Sequence, residues 1–143
     1  MRSTADRIRH AISFEIIGLV LVTPAGAVLF DMPMHDIGTV AIVGATLATV
    51  WNYAYNLAFD HAMLRLAGHL RKSVGLRVLH ALLFEAGLLA GLLPFIAWYL
   101  GVTLWQAFVM DLSFALFYLV YAFGFNWAYD VVFPVPSRVQ GGR

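Results

Sequence analysis

Two glutamates could do chemistry because each lies inside a long apolar segment. Glu15 ends the segment 7–15, and Glu85 ends the segment 77–85. Both segments read Arg-x-x-His-Ala-x-x-Phe-Glu, and they lie 70 residues apart. A carboxyl group in such surroundings can bind a proton or an organic cation, so the pair is a candidate site for either.

An ionised carboxylate at these positions needs compensation. Insertion scales put a charged side chain at about 2.5–3.5 kcal/mol at the bilayer centre, and lower near the interface. A cationic partner, a water-filled cavity or a bound proton would offset that cost, and the last makes the glutamate a proton carrier. The alternative is that each glutamate only hydrogen-bonds to a neighbouring helix. Its occurrence in two symmetric copies favours a functional role.

Asp111 is a third acidic residue within an apolar segment. Its counterpart in the first repeat is Ala41, so it breaks the symmetry of the two halves. Near the outer face it could receive protons or cations from that side. It could equally cap or bridge helices near the boundary of the membrane.

A polar stripe and an aromatic stripe run side by side along the second predicted helix. Residues four positions apart share a helix face, so both stripes could face an organic cation. Amide oxygens and aromatic faces suit such a cation. The alternative is an interfacial aromatic belt with amides joining the helices. Candidates for lining a substrate site are Trp51, Asn52, Tyr55, Asn56, Tyr121 and Asn126.

Residues at the predicted cytoplasmic side supply a second group of candidates. At 100° per residue, His10 lies about 140° from Glu15, so the two face different neighbours, and we expect Glu15 to face the interior of the bundle. Near the cytoplasmic boundary these groups could anchor the helices in the membrane or belong to a proton path. This cytoplasmic-side motif comprises Arg7, His10, Arg77, His80, Asp60 and Asp130.

The elements that position these residues follow from composition. Of the 143 residues, 62% are hydrophobic and only 12% are charged, which favours lipid over water as the solvent. The nine basic residues cluster at both ends and in the centre, leaving two cation-free blocks. A span needs roughly 20 residues, so each block crosses twice. The predicted spans are about 10–30, 36–58, 78–100 and 104–127.

The prediction is therefore an all-α membrane protein with four transmembrane helices, arranged as two tandem hairpins in parallel orientation. The positive-inside rule places both termini and the central loop in the cytoplasm. We expect a single membrane domain over 1–143 that contains two repeats of about 54 residues each. Its parts are repeat one (7–60), a basic cytoplasmic loop (61–76), repeat two (77–130) and a short tail (131–143). Small residues such as Gly38, Ala41, Ala45 and Ala48 on the second helix, and Gly87 and Gly91 on the third, predict close helix packing.

The motifs together resemble the proteobacterial antimicrobial compound efflux (PACE) transporters, whose domain is a bacterial transmembrane pair. The resemblance covers nearly the whole chain. It rests on the two Arg-x-x-His-Ala-x-x-Phe-Glu segments, on Trp51-Asn52-x-x-x-Asn56, and on Tyr118-x-x-Tyr121 leading into 125–130. It implies a multi-pass protein of the bacterial inner membrane that exports organic cations in exchange for protons, with Glu15 as the central coupling residue. The implied substrates are biguanide and quaternary-ammonium biocides, acridine dyes and short polyamines.

The residues leave one alternative from another class, a non-transporting assembly or sensor subunit whose polar stripes bind partner helices. No nucleophile–base pair, phosphate-binding loop or metal-spaced ligand cluster is apparent in the sequence, so we expect a secondary transporter rather than an enzyme. We expect no metal and no cofactor, since the proton gradient would drive transport. The expected partners are small organic cations, protons and lipid, without nucleic acid. Four helices enclose little volume, so we also consider a homodimer.

Overall fold

Four long helices make up the described part of the chain, residues 3–134 of a computed structural model. They are α1 (Thr4–Phe30), α2 (Met34–Ala67), α3 (Val74–Leu100) and α4 (Leu104–Val132). Each is long enough and apolar enough to cross a membrane. The predicted all-α membrane protein with four transmembrane helices is confirmed, and the chain is a multi-pass membrane protein.

The ends of α1 and α3 show the same capping chemistry. Ser3 and Ser73 precede the two helices, and each hydroxyl accepts a hydrogen bond from an amide three residues later, at 3.2 and 3.3 Å. Both helices have 27 residues and end at a residue in the left-handed conformation, Asp31 with φ 51° and Gly101 with φ 64°. The equivalent helices therefore begin and end 70 residues apart.

The helix boundaries differ from the predicted spans mainly at the end where the two hairpins are joined. Helix α2 continues to Ala67, so the predicted loop 61–76 is reduced to a non-helical connection over 68–73. The segment 61–67 contains neither glycine nor proline, and the helix ends only where Gly68 adopts φ 67°. Helices α1 and α4 also extend beyond their predicted bounds. Residues 135–143, most of the predicted tail, lie outside the described residues, as does Arg2.

The helices form a ring in which each packs against two neighbours, in the order α1, α2, α3, α4 and back to α1. Among residues 3–134, no Cα atoms of the diagonal helix pairs lie within 8 Å of each other. We call the end with the turns 31–33 and 101–103 the turn end, and the opposite end the loop end. The buried core lies near the turn end and consists of Ile37, Val40, Leu92, Ile96, Ala107 and Met110.

Two equivalent aromatic side chains join the hairpins. The Trp51 indole on α2 donates a hydrogen bond to the Phe84 carbonyl on α3 at 2.9 Å. The Tyr121 hydroxyl on α4 donates to the Phe14 carbonyl on α1 at 2.8 Å. Each acceptor immediately precedes a glutamate. These two bonds fix the rotation of α1 and α3 about their own axes.

The seam between α2 and α3 depends on the absence of a side chain at Gly87. A Cβ atom added there would overlap the indole ring of Trp51. The predicted close packing at Gly87 is thus packing of an indole ring against the helix backbone. Gly91, one turn later, lies against Leu47 of α2.

Gly87→Ala should destabilise the bundle, because the indole can retreat only by losing its bond to the Phe84 carbonyl. We expect a loss of about 1–3 kcal/mol, seen as a lower midpoint of thermal unfolding in detergent. Gly124→Ala is the matched control: nothing lies within 4 Å of its added Cβ, and alanine is the better helix former. Its midpoint should stay or rise. Equal midpoints for the two variants would contradict this account of the seam.

Candidate functional site

A central cavity of about 370 Å³ lies between the four helices. Glu15 from α1, Glu85 from α3 and Asp111 from α4 all line it. None of the described residues lining it is lysine, arginine or histidine. The structure thus brings the three predicted acidic residues together in one cavity. No basic side chain among the described residues lines it.

The seams explain why both glutamates reach this cavity. Phe14 is held against α4, where its ring centroid lies 4.9 Å from that of Tyr121. The next residue on a helix is rotated by about 100°, which turns Glu15 from the α4 seam toward α2 and the cavity. The same step from Phe84, held by Trp51, turns Glu85 toward the cavity from α3. Each glutamate directly follows a phenylalanine whose carbonyl is bonded by the opposite hairpin. This bond therefore determines the direction in which the glutamate side chain points.

Asp111 lines the same cavity as the two glutamates. It is partly buried, and it lies close enough to Glu85 for their charges to interact. In residues 3–134, no three His, Cys, Asp or Glu side chains form a group that could hold a metal ion. The third acidic residue therefore adds another carboxyl group to the cavity itself.

The cavity exists because the facing side chains on α2 are small. Ala41, Gly44 and Ala48 line it from α2, whereas their counterparts on α4 are Asp111, Phe114 and Tyr118. The predicted small-residue ridge packs closely at Gly38, which faces Thr23 of α1. The alanines of the ridge instead leave space. The two hairpins therefore contribute unequally to the site.

Tyr118 is a cavity residue that the sequence analysis did not single out for the site. Its hydroxyl oxygen is buried and has no hydrogen-bond partner among the described residues. It is close enough to Glu15 for the carboxylate charge to act on it. The sequence does contain a signal for this position: the second repeat has Tyr118 where the first repeat has Ala48. The side chain supplies an unused donor and an aromatic face to the cavity.

The six candidates for lining a substrate site lie elsewhere: none of them lines the central cavity. Trp51 and Tyr121 form the seams, and the Tyr55 hydroxyl donates to the His80 carbonyl at 2.8 Å. Asn56 donates to both oxygens of Asn52 at 2.7 and 2.8 Å. The sixth candidate, Asn126, bonds His10. The Asn52–Asn56 bonds lie within α2, whereas Trp51, Tyr55, Tyr121 and Asn126 contact neighbouring helices.

The two motif histidines have different surroundings. His10 Nε2 lies 2.8 Å from the Asn126 side-chain oxygen, and the ring packs edge-on to Tyr129. His80 packs edge-on to Phe59, with centroids 4.5 Å apart. Its Nε2 atom is buried without a hydrogen-bond partner in the described part of the chain. Both histidines thus lie in aromatic seams, and neither lines the central cavity.

The remaining motif residues lie at the loop end. Arg7, Arg77 and Asp130 are exposed, and Asp60 forms an ion pair with Lys72 at 3.3 Å. None of these lines the cavity. A further cluster was not anticipated: it comprises Arg9, Asp6 and the buried Tyr129, whose hydroxyl donates to the Asp6 carboxylate at 2.9 Å and accepts from Arg9 Nε at 3.0 Å. It ties the start of α1 to the end of α4.

Comparison with known proteins decides the family. Residues 2–65 and residues 72–135 each match the family described as BTP, chlorhexidine efflux transporter. The chain belongs to this family. The two matches begin 70 residues apart, which is the offset of the glutamate segments, and the resemblance to the PACE transporters is confirmed. As a BTP family member, the protein is a transporter rather than an enzyme.

Curated relatives are similar over nearly their whole length. A protein of Vibrio parahaemolyticus named short-chain diamines transporter is 39% identical, and the match covers 90% of this chain and 91% of the relative. Proteins of the same name from Acinetobacter baylyi and Acinetobacter baumannii are each 37% identical, with 88% and 87% of this chain covered and 88% and 85% of the relatives. No solved structure gives a significant match.

The cavity should contain water, because its carboxylates need hydration when no cation is bound. The chain has no cysteine, so single cysteines report on their positions. Ala48→Cys, in the cavity, should react about tenfold faster with a membrane-permeant maleimide than Leu119→Cys, because an apolar environment suppresses the reactive thiolate. Leu119 is the counterpart of Thr49 and lies exposed on the outer face of α4. Equal rates would contradict a hydrated cavity.

Proposed function

We propose that the protein exports small organic cations across the bacterial inner membrane in exchange for protons, with Glu15 as the central coupling residue. One observation carries the proposal: three carboxylates from three helices line a single cavity in which no described lining residue is basic. Such a cavity attracts positive charge and has none of its own. Family membership and the names of the relatives support the transport of cations in particular.

Coupling follows from competition for the same negative charge. An ionised carboxylate between apolar helices is costly until a proton or a cation neutralises it. A proton that binds Glu15 removes the charge that holds the organic cation, so arrival of the proton promotes release of the cation. The reverse exchange reloads the site. No covalent chemistry is needed.

The size and chemistry of the cavity define the cation class. A volume of about 370 Å³ accommodates a small organic molecule rather than a large one. The rings of Phe14 and Tyr118 can contact a positive charge through their faces. Asp111 of α4 lies near Glu85 of α3, and Glu15 lies on α1. The cavity can therefore pair with two positive charges on one molecule. Short-chain diamines carry two such charges, and biguanide and quaternary-ammonium biocides are further cations of the proposed range.

The distribution of charge supports an orientation with the loop end in the cytoplasm. The segment 65–77 holds Arg65, Arg71, Lys72 and Arg77, whereas the turns 31–33 and 101–103 contain no lysine or arginine. The core at the turn end, with Val40, Leu92 and Ile96 also lining the cavity, would then separate the cavity from the outer side. Export requires that this core open in a second conformation.

Glu15→Gln should abolish proton-driven transport, because the amide neither binds a proton nor carries the charge that attracts the cation. The measurement is diamine uptake into everted vesicles or proteoliposomes under an imposed pH gradient, with proton movement followed in parallel. Asp31→Asn is the matched control: it removes the same charge at an exposed helix end, where asparagine tolerates the left-handed conformation. Unchanged coupled transport by Glu15→Gln would sink the proposal. Absence of any flux by the purified wild type would favour a non-transporting subunit.

Asp111→Asn should weaken the transport of diamines more than that of monoamines of the same chain length. The variant keeps the shape of the side chain but leaves the second ammonium group without its counter-charge. We expect KM for the diamine to rise about tenfold, the equivalent of roughly 1.4 kcal/mol, and KM for the monoamine to change little. Both constants are measured in the same proteoliposomes. A parallel rise for the two substrates would show that Asp111 does not distinguish them.

A further inference from the structure

A second cavity, also of about 370 Å³, lies on the outer side of the seam between α1 and α2. We call it the side groove. Ile42, Thr46 and Val50 line it from α2, and all three are exposed. Since the helices span a membrane, the outward surface of this groove faces lipid.

The side groove meets the central cavity at Glu15. Glu15, Ala45 and Thr49 line both spaces, whereas Thr46 lines the groove alone. Glu15 is also an exposed residue, which agrees with its position at the boundary between the two. A charged group that enters the groove therefore reaches the carboxylate without passing either end of the bundle.

The polar lining of the groove is specific to the first hairpin. The counterparts of Thr46 and Thr49 in the second hairpin are Leu116 and Leu119, which are 56% and 69% exposed. The surface beside Glu85 thus offers leucine side chains where the surface beside Glu15 offers hydroxyl groups. The two glutamates, equivalent in sequence, differ in how they are approached from the lipid.

The threonine hydroxyls can assist a cation because their oxygens remain acceptors. Thr46 donates its proton to the Ile42 carbonyl at 2.8 Å, and Thr49 donates to the Ala45 carbonyl at 2.9 Å. Each hydroxyl oxygen still has lone pairs directed away from the helix backbone. Ile42 and Val50 provide apolar surface beside them. The groove therefore combines surface for an apolar body with oxygen atoms and a carboxylate for a positive head.

We propose that the side groove is a lateral entry through which amphipathic organic cations pass from the lipid to Glu15. The inference rests on the proposed function and adds a route that depends on the chemistry of the substrate. A cation with an alkyl or aromatic body concentrates in the membrane and can use the groove. A short hydrophilic diamine does not partition into lipid and has to reach the cavity from water. We identify the occupant as a cation because its charge is complementary to that of Glu15. An uncharged acyl chain of a lipid would gain no favourable interaction with a carboxylate.

Thr46→Leu tests the route because it copies the residue of the second hairpin and lies outside the central cavity. The probes are decyltrimethylammonium, which is permanently charged and amphipathic, and a short-chain diamine, both assayed in proteoliposomes. Transport of the amphipathic cation should fall at least about tenfold, while diamine transport stays near the wild-type rate. Ile42→Trp, which fills the groove from its rim, should have the same selective effect. Thr39→Leu is the matched control, since Thr39 makes the same type of bond on α2 but lines neither cavity.

Three results would overturn the entry route. An equal loss for both probes, or no loss for either, in Thr46→Leu and Ile42→Trp would show that the groove does not select amphipathic cations. Oxidative crosslinking of Thr46→Cys between two chains in vesicles would show that a second copy covers the groove. A wild-type protein that transports neither probe would refute the proposed function itself, and the lateral entry with it.

Discussion

Negative charge held between apolar helices is the constraint on which the rest of this structure depends. Membrane insertion penalises an ionised carboxylate, and three carboxyl groups line one cavity here. The cost is tolerable only if water, protons or cations have access to that cavity. A static bundle would be more stable with apolar residues at the three positions. The architecture therefore supplies a cavity and supports it with a core at one end and aromatic seams at the sides.

The two hairpins share a frame but contribute different side chains to the cavity. Both anchor the residue before their glutamate with a ring donor from the opposite hairpin, through Trp51 and Tyr121. On the cavity face, however, α2 offers alanine and glycine where α4 offers Asp111, Phe114 and Tyr118. The small side chains create the volume, and Asp111 and Tyr118 give it polarity. The repeated residues thus supply the frame and the two glutamates, and the side chains that differ between the hairpins supply the volume and the third carboxyl group.

The number of helices and the presence of carboxyl groups within them could be predicted from the sequence. Hydropathy reflects the exposure of each span to lipid. The 70-residue offset reflects the equivalent helix ends of the two halves. The extension of α2 through 61–67 was not predicted because a short segment with His61 and Arg65 next to a membrane span suits a loop and an interfacial helix equally well. The helix persists there because nothing interrupts it before Gly68.

The lining of the cavity could not be predicted, because seams and substrate sites use the same residue types. Aromatic and amide side chains at four-residue spacing suit an organic cation, but here Tyr55 and Asn126 join helices. Which face of a helix meets the cavity depends on contacts between residues more than 100 positions apart, such as Tyr121 with Phe14. Proton coupling, the cytoplasmic termini and the homodimer stay predictions.

Competition between protons and organic cations for the cavity is the central claim, and proton release on binding tests it most directly. Calorimetric titration of the purified protein with a short-chain diamine, in buffers of different ionisation enthalpy, counts the protons that leave as the diamine binds. The account predicts net proton release that is lost in Glu15→Gln, together with affinity that weakens as the pH is lowered. Binding heats that do not depend on the buffer, with an affinity that does not depend on pH, would contradict it.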